Sequence, residues 1–188
     1  ACKDYKWVFD YAMTGNQQIS DTVPAENVYS CKRIVRTKFH TFPNRIPILN
    51  AFFRSRDFAV IELDRPVTGR KPMILSRDIE KPKAGTPIIV IGYPLGLPLK
   101  VAPGVVVREI INPRKKFAIN ADVFSGNSGS PVINADTGEV VGIHTTGPAK
   151  QLESMGGCDV YKKIDPSDSS HALPSAVRIK KVKMKWIT

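Results

Sequence analysis

Apolar residues in this chain come in short runs broken by glycine, proline and polar turns, which is the pattern of strands rather than helices. Trp7-Val8-Phe9-Asp10-Tyr11-Ala12 reads as a first strand, and Thr14 to Glu26 as a polar loop. Asn27 to Phe42 is the next strand region, alternating roughly from Cys31 to Phe39 as a half-exposed strand does. A two-proline loop follows, and then Asp57 opens the apolar run Phe58 to Leu63. Ile88-Ile89-Val90-Ile91-Gly92 is the most apolar run and reads as a buried strand. Lys100 to Ile110 is a strand that Pro103-Gly104 bends or interrupts, and Phe117 to Asn120 is a short one. Val132-Ile133 and Val140 to Ile143 form a hairpin-like pair around Thr137-Gly138. Residues 160–176 are less regular, with a short helix capped near Ser167 as the strongest feature. From Val177 to Ile187 apolar and basic residues alternate, predicting an edge strand or extended tail with one basic face. Many short strands with Gly/Pro turns and no long helical period predict an all-β barrel or sandwich.

Composition narrows this reading. At 188 residues, 42% of them hydrophobic, the chain supports one domain or one domain built as two halves. No apolar run is long enough for a transmembrane helix, and the start, Ala1-Cys2-Lys3-Asp4-Tyr5, is polar and shows no signal peptide; if the protein is secreted, its leader has already been removed. The net charge of +11 favours acidic partners. Its densest group runs from Arg178 to Lys185, with smaller groups at Arg114-Lys115-Lys116 and Lys162-Lys163. Nucleic acid is disfavoured as the partner: no recognition module accompanies the charge, and Trp186 is the one aromatic in the tail. Cys2, Cys31 and Cys158 have no Cys-x-x-Cys spacing and the histidines are scattered, so neither a metal nor another cofactor is expected. An odd cysteine count leaves at least one thiol unpaired within the chain, or paired outside it.

The chemistry concentrates in Phe124-Ser125-Gly126-Asn127-Ser128-Gly129-Ser130-Pro131-Val132. Glycines on both sides of Ser128 permit a tight turn, with the amides of Gly126 and Ser128 free to converge on one spot. That is the layout of a serine nucleophile with an oxyanion hole. It is also the composition of an ordinary turn between two strands.

Three segments decide between them. Gly126 to Val132 resembles the nucleophile loop of chymotrypsin-like serine proteases, closest to the bacterial glutamyl-endopeptidase-like branch. Asp57-Phe58-Ala59-Val60-Ile61-Glu62-Leu63 resembles the segment with the triad aspartate, and Gly142-Ile143-His144 the strand lining the primary specificity pocket. The resemblance spans roughly residues 5 to 150. It implies two six-stranded β-barrels, the first lacking its N-terminal strands in this sequence. Residues 1–75 would be the remainder of the N-terminal barrel with Asp57. Residues 76–160 would be the C-terminal barrel with Ser128, and 161–188 an extension with the basic tail. The implied activity is serine endopeptidase, acting on polypeptides through an acyl-enzyme. Ser128 would attack, Gly126 and Ser128 amides would hold the oxyanion, and Asp57 would orient a histidine.

The histidine is the departure. Of His40, His144 and His171, only His40 precedes Asp57, and it lacks the following cysteine that the family places after its base. His40 lies seventeen positions before Asp57, which is short for this fold. The resemblance therefore puts the base in a segment outside this sequence, free or disulfide-linked, and the chain alone is expected to be inactive. The alternative is a protease fold kept as a binding or structural module. Asn127 replaces the aspartate that pairs with a new amino terminus in digestive members, so that activation switch is not expected.

Specificity stays open at this point. His144 matches the histidine that contacts the acidic side chain in glutamate-preferring members, and an imidazole can donate to a carboxylate. Val123, five residues before Ser128, stands where those members carry a small hydroxyl residue. Asp122, six before Ser128, matches the aspartate that selects arginine or lysine in trypsin-like members. The cysteines suggest an oxidising location, secreted or periplasmic. Cys31–Cys158 and Cys2–Cys31 are both open as pairings.

Overall fold

The computed structural model describes residues 2–13, 22–39, 57–77, 82–112, 116–121, 123–147, 152–161 and 173–179. Within them the chain is all-β apart from short 3-10 turns. β1 (Lys6–Val8), β2 (Val28–Phe39) and β3 (Asp57–Leu63) make an antiparallel sheet in the order β1-β2-β3. β4 (Pro87–Gly92), β5 (Lys100–Asn112), β6 (Lys116–Ile119), β7 (Pro131–Asn134), β8 (Val140–Thr146) and β11 (Ser175–Arg178) form a closed barrel in the order β11-β6-β5-β4-β7-β8. A separate hairpin joins β9 (Leu152–Met155) to β10 (Cys158–Tyr161) through Gly156-Gly157, a pair of strands the sequence pattern did not single out.

The expectation of two six-stranded barrels is corrected here: among the described residues one barrel closes and the other sheet has three strands. Three strands leave two open edges and cannot wrap round a core of their own. Of the tail read from Val177 to Ile187, only residues 177–179 lie among the described residues, and there the reading changes. Ser175–Arg178 lies between β6 and β8 as the strand that closes the barrel, and all four residues are buried. The alternation of apolar and basic residues suggested a solvent face. At Arg178 closure covers that face, leaving the residue 7% exposed. β5 continues through Pro103-Gly104, but its register with β4 shifts there, Ile88 facing Val105 and Val90 facing Ala102, and Gly104 takes φ of +70°.

The pairing of short apolar strands follows from their burial. β4 alternates half-buried and buried residues along its length, and Pro87 stands at its first position, where a missing N–H is tolerated. Ile88, Val90, Val107, Phe117, Ile119 and Val132 fill the barrel. Burying each such side chain stabilises by roughly 1.5–3 kcal/mol.

A second cluster ties the sheet to the barrel. Phe58 of β3 packs with Ile133 of β7, Val140 of β8 and Ile179 just beyond β11. The connection at Ile74–Ser76 is pinned to the start of β8: Val140 N donates to Ile74 O at 2.8 Å, and Ser76 N to Val140 O at 3.0 Å. At the other end of the sheet Cys2 and Cys31 form a disulfide, Cα atoms 5.6 Å apart, and Cys158 is free and exposed. Arg65 holds the start of β2: it donates to Glu26 O at 2.9 Å and Val28 O at 3.0 Å, with its guanidinium 3.9 Å from the centre of the Tyr29 ring. No helix among the described residues is long and apolar enough to cross a membrane.

Candidate functional site

Asp57 is the first residue of β3, in register with Phe39 at the end of β2. The next residue, Phe58, is anchored in the second cluster, so the aspartate is carried to the edge where the sheet meets the barrel. Ser128 comes to the same edge from the barrel, on the turn between β6 and β7. Asp57, Phe58 and Ala59 line one part of a cavity of about 330 Å³, and Ser128, Gly129, Ile143, His144 and Thr145 line the rest. The strand order thus brings together two residues seventy-one positions apart in sequence.

The Ser128 turn is fixed on both flanks. Inside it, Asn127 N donates to Phe124 O at 3.2 Å and Ser130 N to Asn127 O at 3.0 Å. On the β8 side, Gly129 N donates to His144 O at 2.8 Å and His144 N to Ser130 O at 2.9 Å. On the other, Leu95 N donates to Ser125 O at 2.8 Å. Gly126 and Gly129 have φ of +93° and +94°, a conformation that side chains resist. Asn127 and Ser130 are buried while Ser128 is exposed. Neither the Gly126 nor the Ser128 amide donates to a backbone carbonyl among the described residues. The turn therefore presents a hydroxyl and two N–H groups that no described carbonyl uses, on a rigid support.

His144 lies beneath this turn. It is 2% exposed, and its Nδ1 has no hydrogen-bond partner among the described residues. Burial pushes its pKa down to about 4, and the positive charge of Lys116 pushes the same way. At neutral pH its ring is uncharged. Val123 is buried, and its carbonyl and His144 Nε2 flank Gly147: a methyl there would lie 3.5 Å and 3.9 Å from them. His144 and Val123 thus both approach Gly147, but they line different cavities. Asp122, His40 and His171 fall outside the described residues.

The sequence reading missed the buttress at Tyr93–Gly96. Leu95 has φ of +57°, and its N would lie 2.7 Å from a Cβ on Gly126. The Gly92 and Gly96 pair around Pro94 was the available signal.

Residues 10–143, well over half of the chain, match the family model of the trypsin-like peptidase domain, and the chain belongs to that family. Solved structures agree on the fold. The scabies mite inactivated protease paralogue S-I1 superposes with a TM-score of 0.51 at 17% identity, over 82% of this chain and 72% of that one. A Glu endopeptidase in complex with MPD gives 0.50 at 17%, over 89% and 71%. The inactive form of a serine-to-alanine mutant of Rv3671c from M. tuberculosis H37Rv gives 0.50 at 18%, over 85% and 64%, so this chain spans less than two thirds of that relative. No curated protein sequence matches the chain significantly.

Proposed function

We propose that this chain is a polypeptide-binding module of the trypsin-like peptidase fold that does not complete a serine-protease relay with its own described residues. His144 carries this reading. A relay histidine sits against a carboxylate, which favours its charged form and raises its pKa. His144 is displaced the other way, to about 4, with a lysine as its charged neighbour and Nδ1 unpaired among the described residues. A base that weak takes a serine proton poorly near pH 7. The fold is compatible with lost catalysis, since one of the similar structures is named an inactivated paralogue.

A neutral, buried imidazole beside Gly147 supports a recognition role instead, donating to an acidic side chain at the first site. Asp122, if it lines the same pocket, would favour lysine or arginine. The Cys2–Cys31 disulfide supports a secreted or periplasmic location. The test is a panel of labelled peptides with glutamate, lysine or leucine at one central position. The expected result is saturable binding, strongest for glutamate, without cleavage. Sustained cleavage that disappears in Ser128→Ala would overturn the reading.

That outcome would establish the second reading, a serine endopeptidase whose base comes from outside the described residues. Asp57 and Ser128 lining one cavity, beside the Gly126 and Ser128 amides that no described carbonyl uses, are the observations in its favour.

A further inference from the structure

Asn127 and Ser128 are neighbours in one turn, yet they line different cavities. Ser128 faces the cleft already described, whereas Asn127 belongs to a larger cavity of about 470 Å³. Its walls are mostly apolar, with Val90, Val105, Val123 and Phe124 among them. Asn127 is 5% exposed, and it brings a carboxamide to the cavity wall. Asn120 also lines the cavity. Its Oδ1 accepts from Val106 N at 2.6 Å, so its NH2 group remains for another acceptor. Lys100, exposed, is the one charged residue among the lining side chains, and no carboxylate faces it there.

We propose that this cavity binds a small molecule with an apolar body and one carboxylate, and that its occupancy acts on the Ser128 turn. The apolar walls take the body, and Lys100 with the Asn120 and Asn127 amides takes the anion. The volume is that of ordinary small-molecule sites. A cationic ligand of the same shape meets Lys100 and finds no counter-charge; a purely apolar one offers the amides no acceptor. The coupling is covalent and steric. Asn127 immediately precedes Ser128, and it has no room to retreat, because even a methyl on Gly92 would overlap Asn127 Oδ1 and Ser130 Oγ. A ligand that engages the Asn127 amide therefore acts on the Ser128 N–H through one peptide unit. This holds whether or not Ser128 reacts.

Titrating octanoate and octylamine into the isotope-labelled full chain tests it. The readouts are the NMR signals of the Asn127 side-chain amide and the Ser128 backbone amide. Octanoate should shift both signals saturably and octylamine neither. Lys100→Glu, on an exposed side chain, should keep the fold and weaken octanoate by about tenfold or more, the effect of turning a charge-assisted contact into a repulsive one. Ala102→Trp, placed in the cavity wall, should abolish the shifts. Equal shifts with octylamine, no saturable shift with octanoate, or unchanged octanoate affinity in Lys100→Glu would each overturn the proposal.

Discussion

Alanine at Gly126 and at Gly129 separates two costs within one turn. Both glycines sit near φ +93°, so either alanine forces a side chain into a backbone region that costs roughly 1–3 kcal/mol. At Gly129 a Cβ meets nothing within 4 Å, and that strain is the whole effect. At Gly126 the Cβ would lie 2.7 Å from Leu95 N and 3.3 Å from Tyr93 O. Both are backbone atoms, so no rotamer change relieves the overlap. Leu95 N is moreover already committed to Ser125 O at 2.8 Å, so moving it away strains that bond too. Overpacking of this kind adds about 1–3 kcal/mol, and a weakened hydrogen bond roughly 1 more. Gly126→Ala should therefore cost about 2–4 kcal/mol more than Gly129→Ala. Urea denaturation with unchanged slope measures the difference directly, and in heat it corresponds to roughly 2–4 °C per kcal/mol for a chain of this size. Equal destabilisation by the two alanines would refute the idea that the Tyr93–Gly96 segment braces the turn.

Other consequences are open to simple measurement. His144 titrates near 4 in the folded chain and near its ordinary value when unfolded, so the unfolded state takes up the proton first. Its contribution to stability is present above the unfolded pKa and is lost as pH falls from about 6.5 towards 4, up to roughly 3 kcal/mol. His144→Gln should flatten that part of the stability profile, and an unchanged profile would contradict the assignment. Cys2→Ser opens a loop with a sequence separation of 29 and should cost roughly 3–4 kcal/mol of stability. In the native chain a maleimide should modify one thiol, at Cys158, and modification of Cys31 without reduction would contradict the pairing. Arg65→Ala loses charge-assisted bonds to Glu26 O and Val28 O, and should destabilise by about 2 kcal/mol in thermal melts.

Much of this was legible in the sequence, for physical reasons. The run from Ile88 to Gly92 is too apolar to lie anywhere but in a core, and Asp57–Leu63 is a strand as its branched residues predict. The glycines round Ser128 announced a turn with positive φ, and both have it. What stayed hidden depends on neighbours distant in sequence. Nothing local in Ser175-Ala176-Val177-Arg178 reveals that β6 and β8 will enclose it, so Arg178 looked like part of a solvent face. Apolar pattern alone also cannot count the strands of a sheet, and the three-stranded sheet in place of a barrel came from the pairing, not the pattern. Asn127 looked like a neutral substitute for an absent switch. Its place in a cavity of its own became visible only with Gly92 and Lys100 around it.

The central claim is that Ser128 stands in a formed cleft without an effective base among the described residues. Intact-mass spectrometry of the full chain after incubation with a fluorophosphonate tests it most directly, because only an activated serine displaces the fluoride at an appreciable rate. The account predicts an unchanged mass, matching that of a parallel Ser128→Ala sample. Addition of one phosphonyl group per chain, absent from Ser128→Ala, would contradict it.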